Sequence, residues 1–234
     1  MMLSPFHSTS RVALPLFIGL SLACLIPRAL AEEVVAEWDF NSAEISGDSL
    51  VVPLTEGVAG DLFVKPDSGM ADSGIKIEKK DGTSGPNVVA FEGYPVNGLT
   101  SKKPIKWEEG QDFRIEVEVN PAGTSRGYVV RSFCNFALEY HPQTNNISLI
   151  VWLNDGHAES VGMKIGADQW NTVTAQLSNG EMSITVNGET QTKILSSGSV
   201  LAKTTNQFLV AHGFTNADHS FGGKIGKIRL SKLP

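Results

Sequence analysis

The residues best suited to chemistry are two carboxylates, Glu116 and Glu118, two positions apart in the run FRIEVEVNP (residues 113–121). Because successive side chains of a strand point to opposite faces, both are expected on the same face. Two carboxyl groups on one face are a pattern that glycosidic-bond cleavage uses. The next residue on that face is Asn120, which cannot act as a carboxylic proton donor. The pattern therefore favours a solvated sheet face over a catalytic one.

A second set of side chains is suited to binding a sugar rather than cleaving it. Trp152 falls on the outward-facing set of a strand predicted over residues 147–153. An outward Trp offers a flat apolar surface to a sugar ring, while polar groups around it bind hydroxyls. The predicted ligand-binding residues are Trp152, Arg131, Glu139, Asn135, His157 and Glu116. The alternative is that a loop covers Trp152 and that its ring is ordinary packing.

The elements that must position these side chains are short strands, and the clearest is a hairpin over residues 170–188. Asn179-Gly180, flanked by alternating residues, predicts a type I′ turn, since both of its central positions need positive φ. Closing this turn places six apolar residues on one face and six polar residues on the other, which defines the register. A second pair, Asn187-Gly188, predicts a turn without a resolved register.

Other alternating or apolar runs extend the all-β pattern along the chain. Strands are predicted over residues 34–40, 62–64, 88–91, 113–119, 128–133, 136–140, 147–153, 161–165, 208–211 and 225–230. The sequence has no convincing amphipathic helix after residue 31. Many short strands separated by turn residues indicate a sandwich of two sheets.

The N-terminus predicts a secretory signal peptide at residues 1–31. An apolar run over residues 12–26 follows Arg11, and Ala29-Leu30-Ala31 resembles a cleavage site. The run is shorter than the roughly 20 residues that span a bilayer. A partial lipobox ending at Cys24 leaves lipid attachment there as an alternative. The expected product is one secreted or periplasmic domain, residues 32–234, without membrane insertion.

The charge of the chain limits its partners. The sequence holds 19 Lys and Arg against 25 Asp and Glu, with no basic cluster. This composition argues against nucleic acid and against anionic membranes. Cleavage of the predicted signal peptide would leave Cys134 as the one cysteine, so no internal disulfide is expected. We predict that Cys134 is a small buried thiol.

Several motifs in order resemble the laminin-G-like, concanavalin A-like jelly roll of bacterial secreted proteins. They are AEWDF (36–40), FRIEVEVNP (113–121), FAL (136–138), DQW (168–170), ITVNG (184–188), FGGKI (221–225) and IRL (228–230). Glu118 departs from the pattern, because the family often has Trp at this position. The resemblance implies an all-β, antiparallel two-sheet jelly-roll β-sandwich. It also implies that the first and last strands are adjacent, with Trp38 beside Ile228.

The resemblance also frames the function. Jelly-roll glycosidases of the laminarinase class carry E-x-D-x-E, and jelly-roll alginate lyases carry R-x-E-x-R; this chain matches each only in part, at residues 114–120. Laminin-G-like folds often hold Ca²⁺ through loop groups, and the loop acids here include Asp67, Asp72, Asp81 and Asp155. The four histidines beyond residue 31 have no recognised zinc-ligand spacing. The preferred hypothesis is a non-catalytic module that binds carbohydrate. A polysaccharide-active enzyme and a structural or protein-binding module of the cell envelope are the alternatives.

Overall fold

Short β-strands follow one another along nearly the whole described length of this chain. The computed structural model describes residues 31–64, 73–93, 98–124, 126–196, 199–212 and 219–234. The predicted signal peptide, apart from Ala31, and the acids Asp67 and Asp72 lie outside these residues. Within them, the only helical segment is a single 3-10 turn at Phe40–Ser42.

Twenty strands are described in chain order. The first ten are β1 (Glu33–Asp39), β2 (Glu44–Ser46), β3 (Ser49–Val52), β4 (Glu56–Gly57), β5 (Leu62–Val64), β6 (Ile75–Lys79), β7 (Asn87–Glu92), β8 (Leu99–Ser101), β9 (Ile105–Trp107) and β10 (Phe113–Pro121). The second ten are β11 (Gly127–Ser132), β12 (Phe136–His141), β13 (Asn146–Trp152), β14 (Ala158–Lys164), β15 (Asn171–Ser178), β16 (Glu181–Val186), β17 (Glu189–Ile194), β18 (Thr204–Asn206), β19 (Phe208–Val210) and β20 (Gly222–Lys232).

Two large antiparallel sheets form the fold. Sheet A has the order β17-β16-β15-β10-β20-β1-β4, and β7 continues it from β20 to β6. Sheet B has the order β14-β13-β12-β11-β19-β8-β5-β3-β2, and β9 with β18 forms a small third sheet. The fold is the all-β, antiparallel two-sheet jelly-roll sandwich that the sequence predicted. Among the described residues, no helix has the length and hydropathy needed to cross a bilayer.

Strict alternation along the strands builds the core. In β10, Phe113, Ile115, Val117 and Val119 are buried, while the intervening Arg114, Glu116, Glu118 and Asn120 are partly exposed. β13 repeats the pattern in sheet B with buried Ile147, Leu149 and Val151. The apolar faces of both sheets belong to one hydrophobic cluster. β10 and β13 therefore each have one buried face and one partly exposed face, whereas nearly all residues of β11 and β12 are buried on both faces. A functional surface must be sought on the exposed parts of the outer faces, the edges or the loops.

The hairpin of β15 and β16 has the predicted register. Val173 pairs with Val186, Ala175 with Ile184 and Leu177 with Met182. Asn179 and Gly180 have φ values of 51° and 76°, as a type I′ turn requires. The second Asn-Gly pair also closes a hairpin, which corrects the expectation of an undefined register. Val186 pairs directly with Glu189 across it, because all of β17 is exposed and imposes no apolar face on the pairing.

The first and last strands lie side by side, as the family resemblance implied. β1 pairs with β20 in antiparallel fashion, and Trp38 is the register partner of Ile228. The prediction that Cys134 is a buried thiol is wrong, because the residue is exposed. It lies in the turn between β11 and β12 with a φ of 59°, so no strand face directs its thiol into the core. Trp170, just before β15, is half-buried.

Candidate binding face

The outward side of sheet B carries three of the six predicted site residues, Arg131, Glu139 and Trp152. Cross-strand pairs place Arg131 opposite Ala137, and Ala137 opposite Ile150, in one row across β11, β12 and β13. A second row holds Tyr128, Glu139 and Ser148. These side chains share the outer face because paired residues of neighbouring strands point the same way.

The guanidinium of Arg131 lies among three aromatic rings. Its Cζ is 4.8 Å from the ring centroid of Phe133, 5.1 Å from that of Tyr128 and 6.0 Å from that of Trp152. Arg131 is only 3% exposed, and its burial lowers the pKa of the guanidinium. Cation–π contacts of this kind are stronger when water is excluded. Arg131 therefore holds the rings in place from beneath the surface.

Two of these rings reach the solvent. Phe133 is 46% exposed, and Trp152 is half-buried on the outward set of β13, as the sequence predicted. We call Phe133 and Trp152 the aromatic pair. The backbone N–H of Trp152 donates to the carbonyl oxygen of Asn135 at 2.7 Å, so β13 is tied to the turn that carries Phe133. The pair offers apolar surface next to polar backbone and side-chain groups, which is the composition of a sugar-binding surface.

Glu139 lies deeper in the same face and has no exposed side-chain surface. Its carboxylate accepts two hydrogen bonds from Arg126, at 2.5 and 2.8 Å, and lies 3.0 Å from Nε2 of His141. These bonds raise the pKa of Arg126. Burial raises the pKa of the neighbouring Tyr128, whose ring stacks on His219 at 5.7 Å. Because its oxygens are engaged, Glu139 supports the face rather than offering a free carboxylate.

Asn135 and His157 have other surroundings. The buried Asn135 side chain donates to the carbonyl oxygen of Ala202 at 2.5 Å and accepts from the Thr204 hydroxyl, which fixes the turn between β11 and β12. His157 is exposed in the turn between β13 and β14, with Nδ1 3.4 Å from a carboxylate oxygen of Asp155. Asn135 thus holds the turn that carries Phe133. His157 lies beyond the end of β13.

Glu116 lies on the outer face of sheet A, away from the other predicted residues. Its carboxylate is 3.7 Å from Nε of Arg229. Glu118 pairs with Lys80, whose ammonium group lies 4.7 Å from the ring centroid of Trp170. A shallow cavity of about 360 Å³ is lined by Glu116, Val117, Glu118, Thr172, Lys227 and Arg229. Both carboxylates have cationic partners, as expected for a solvated, ion-paired face.

The described loop acids do not form a metal centre. Asp155 accepts a backbone hydrogen bond from His157, which lowers the pKa of its carboxyl group, and Asp81 lies in the turn between β6 and β7. Within the described parts of the chain, no group of three or more His, Cys, Asp or Glu side chains is placed to share a metal ion. Calcium binding stays a prediction without an assigned site.

Sequence comparison assigns this chain to a family. A laminin G family of the concanavalin A-like lectin/glucanases superfamily matches residues 96–233, which is more than half of the chain. The chain belongs to this superfamily. The matched region contains the aromatic pair and the strands β11 to β13 that carry the outer face of sheet B. A search of curated protein sequences found no match.

Solved structures with the same fold include domains of other proteins. Domain 4 of AbnA, a GH43 extracellular arabinanase from Geobacillus stearothermophilus solved with arabinotriose, aligns with a TM-score of 0.55 and 16% identity, over 87% of this chain and 95% of that one. The binding domain of Paraclostridial Mosquitocidal Protein 1 aligns with a TM-score of 0.54 and 11% identity, over 86% of this chain and 48% of that one. The chain spans about half the length of that binding domain. At these identities the comparisons show a shared fold.

Sequence reasoning missed Phe133, Tyr128 and Arg126. Phe133 lies in a three-residue turn, where strand parity gives no orientation. A bulge between Tyr128 and Val130 shifts the parity of β11, so alternation could not assign Tyr128 to a face. Arg126 lies just before β11 and pairs with Glu139 of β12, a contact that strand alternation does not predict.

Proposed function

We propose that this chain is a non-catalytic carbohydrate-binding module whose site is the aromatic pair on the outer face of sheet B. The observation that supports this most directly is that Phe133 is exposed and Trp152 is half-buried, while the buried Arg131 lies within 6.0 Å of both ring centroids. Large apolar surface that stays exposed on a monomer often marks a binding surface. Membership of a superfamily of lectins and glucanases agrees with a sugar ligand.

The fold comparison supports the same class of ligand. The arabinanase domain, which aligns over 95% of its own length, was solved with arabinotriose. A short neutral oligosaccharide is therefore a reasonable first probe. The two carboxylates of sheet A, Glu116 and Glu118, both have cationic partners. They therefore do not offer the nucleophile and the free carboxylic acid that glycosidic-bond cleavage would need.

The test is isothermal titration of the folded protein with a panel of neutral and acidic oligosaccharides, including arabinotriose, with and without Ca²⁺. We expect at least one to bind, and we expect Trp152→Ala to weaken it tenfold or more, since aromatic anchors commonly contribute over 1 kcal/mol. Trp170→Ala is the matched control, because it removes a half-buried Trp next to β15 of sheet A, and it should leave affinity unchanged. Absence of binding across the panel would exclude the carbohydrate assignment.

The same face could instead bind a protein of the cell envelope. Pull-down from a native envelope extract with wild type and Trp152→Ala distinguishes the two assignments. Capture that depends on Trp152 but survives competition by every glycan of the panel would favour the protein partner.

We also propose that the chain is exported, with cleavage after Ala31. The apolar run of residues 12–26 and the small residues before Glu32 support this. N-terminal sequencing of the protein recovered outside the cytoplasm should begin at Glu32. A start at Cys24 with attached lipid would support the lipoprotein alternative instead.

A further inference from the structure

Strand β17 (Glu189–Ile194) forms an open edge of sheet A. It pairs with β16 on one side and stands at the end of the strand order. All six of its residues are exposed, and the ladder to β16 runs through them without a register shift. Prolines and bulges commonly protect edge strands from pairing with another chain, and β17 contains neither. Its outer N–H and carbonyl groups are therefore available to a further strand.

These available groups belong to every second residue of β17. The two residues that flank a two-residue hairpin turn exchange backbone hydrogen bonds, and bonded and non-bonded pairs alternate from there. Counting from the Asn187-Gly188 turn, the residues that direct their backbone groups toward β16 are Glu189, Gln191 and Lys193. The N–H of Leu195 continues this set, because it donates to the carbonyl oxygen of Gly180 at 2.9 Å. The residues that direct their groups away from the sheet are Thr190, Thr192 and Ile194.

The charges of β17 are complementary to those of a second copy of the same strand. Two antiparallel copies must pair outward-directed residues with each other, so the two-fold axis passes through a residue rather than between two. In the register centred on Gln191, Glu189 of each copy lies opposite Lys193 of the other. Registers centred on Thr190 or Thr192 place both charges opposite uncharged residues. The Gln191 register thus gains two opposite-charge pairs, which stabilise antiparallel strands.

Lys193 has room for a carboxylate from a second copy. Its Nζ lies 3.1 Å from a carboxylate oxygen of Glu159 and donates to the carbonyl oxygen of Ser160 at 3.4 Å, both on β14. An ammonium group has three N–H donors, so these two contacts leave one for Glu189 of the other copy. The side chain of Lys193 is also 43% exposed, which allows the approach.

Ile194 also fits a second copy at this edge. Its side chain is 77% exposed, the highest value among the exposed large apolar residues that the structure describes. In the Gln191 register it lies opposite Gly188 of the other copy, where a Cβ would meet no atom within 4 Å. Pairing would therefore remove part of an apolar side chain from water at a position that has space for it.

We propose that two copies of this chain associate through β17, antiparallel about Gln191, so that their A sheets join into one continuous sheet. Such a contact is isologous, so it closes as a dimer and leaves no β17 edge open. The backbone groups of Thr190 and Thr192 supply the hydrogen bonds between copies, and the Glu189–Lys193 pairs set the register. This association is independent of the proposed carbohydrate function.

Sedimentation equilibrium of the folded protein over about a hundredfold range of concentration tests this association, since a dimer dissociates by mass action. The mass should rise toward twice that of the chain as the concentration increases. Glu189→Lys should weaken dimerisation about tenfold or more, because two attractive pairs become repulsive. Glu44→Lys makes the same change on β2, an exposed edge strand of sheet B, and should leave the mass unchanged.

A mixture of two charge variants tests the register itself. Lys193→Glu alone should also lower the mass, because it places glutamates opposite each other. An equimolar mixture of Glu189→Lys and Lys193→Glu restores both opposite-charge pairs in a mixed dimer, so the doubled mass should return. Far-ultraviolet circular dichroism of each variant confirms that it is folded.

Thr192→Pro tests the backbone bonds between copies. The N–H of Thr192 points away from β16, so proline removes a hydrogen bond from the dimer contact while the monomer should stay folded. A wild type that is monomeric at every concentration would overturn the proposal. A dimer that survives both Glu189→Lys and Thr192→Pro, or a charge-variant mixture that stays monomeric, would also overturn it. None of these outcomes bears on glycan binding.

Discussion

The indole of Trp38 and the ring of Phe208 stack with centroids 5.4 Å apart and planes 15° apart. Trp38 belongs to β1 of sheet A and Phe208 to β19 of sheet B, so the stack joins the two layers of the sandwich. Both residues are fully buried, and Nε1 of Trp38 donates to the carbonyl oxygen of Gly60 at 3.0 Å. This contact combines packing between the sheets with a satisfied polar group.

Trp38→Ala should therefore lower the free energy of unfolding by about 3–5 kcal/mol, because it leaves a large cavity between the sheets. Urea denaturation followed by far-ultraviolet circular dichroism measures the loss. Trp170→Ala is the control for the same substitution at a half-buried site and should cost less than half as much. Equal losses in the two variants would contradict the role of the Trp38–Phe208 stack.

Gly57→Ala should destabilise the protein strongly. Gly57 has a φ of 107°, and a Cβ at this position would lie 2.2 Å from the carbonyl oxygen of Val35. Gly82 has a similar φ of 83°, but a Cβ there would meet no atom within 4 Å. Gly82→Ala should thus cost only about 1 kcal/mol for the left-handed backbone, whereas Gly57→Ala adds a steric clash.

Thermal unfolding of both glycine variants tests this difference. The Tm of Gly57→Ala should fall well below that of Gly82→Ala. A shared Tm would mean that β4 can move away from β1 without loss of stability.

Arg126→Gln should reduce stability by about 1–2 kcal/mol, because it removes the bidentate partner of the buried Glu139 carboxylate, although solvent screens the half-exposed Arg126 and His141 stays 3.0 Å away. The double variant Arg126→Gln/Glu139→Gln should be more stable than Arg126→Gln alone, since it removes the uncompensated charge. A double-mutant cycle by urea denaturation at pH 7 measures the coupling. Additive losses would show that the two groups do not interact in solution.

Stability should fall in acid through Glu37. The hydrogen bond from Lys227 and the ion pair with Arg229 lower the pKa of Glu37 from its ordinary value of 4.5. A carboxyl group whose pKa is lower in the folded state stabilises the protein above pH 4.5, and the contribution disappears as the pH falls through the folded value. Wild type should exceed Glu37→Gln in free energy of unfolding at pH 7, and the gap should narrow toward pH 3.

Urea titrations of the two proteins at pH 7, 5, 4 and 3 give this gap directly. Other paired carboxylates titrate in both proteins and cancel in the difference. A gap that is constant from pH 7 to pH 3 would rule out the ion pairs of Glu37 as the source.

The sequence predicted the elements whose burial alternates. β10, β13 and the β15–β16 hairpin were read correctly because one face of each is apolar and the other polar. β17 was missed because all six of its residues are exposed and its pairing depends on its neighbour, β16. Propensity and alternation carry no information about a strand of this kind.

The candidate face was predicted only in part. Parity placed Trp152 outward, and the structure brings Arg131 and Glu139 to the same sheet face. The sequence could not show that Arg131 lies beneath the rings or that Arg126 pairs with Glu139, because both contacts form only when the chain is folded. Glu116 lies on the other sheet, since its strand β10 pairs with β15 and β20.

The position of β20 in sheet A has a consequence for synthesis of the chain. β20 follows every other described strand, yet it pairs with β1, β7 and β10 in the interior of the sheet. While residues 222–232 remain inside the ribosome, β1 and β10 lack the strand that lies between them, and each exposes an unpaired edge. Partly synthesised chains should therefore be prone to aggregation until β20 can pair, since open strand edges tend to pair with other chains.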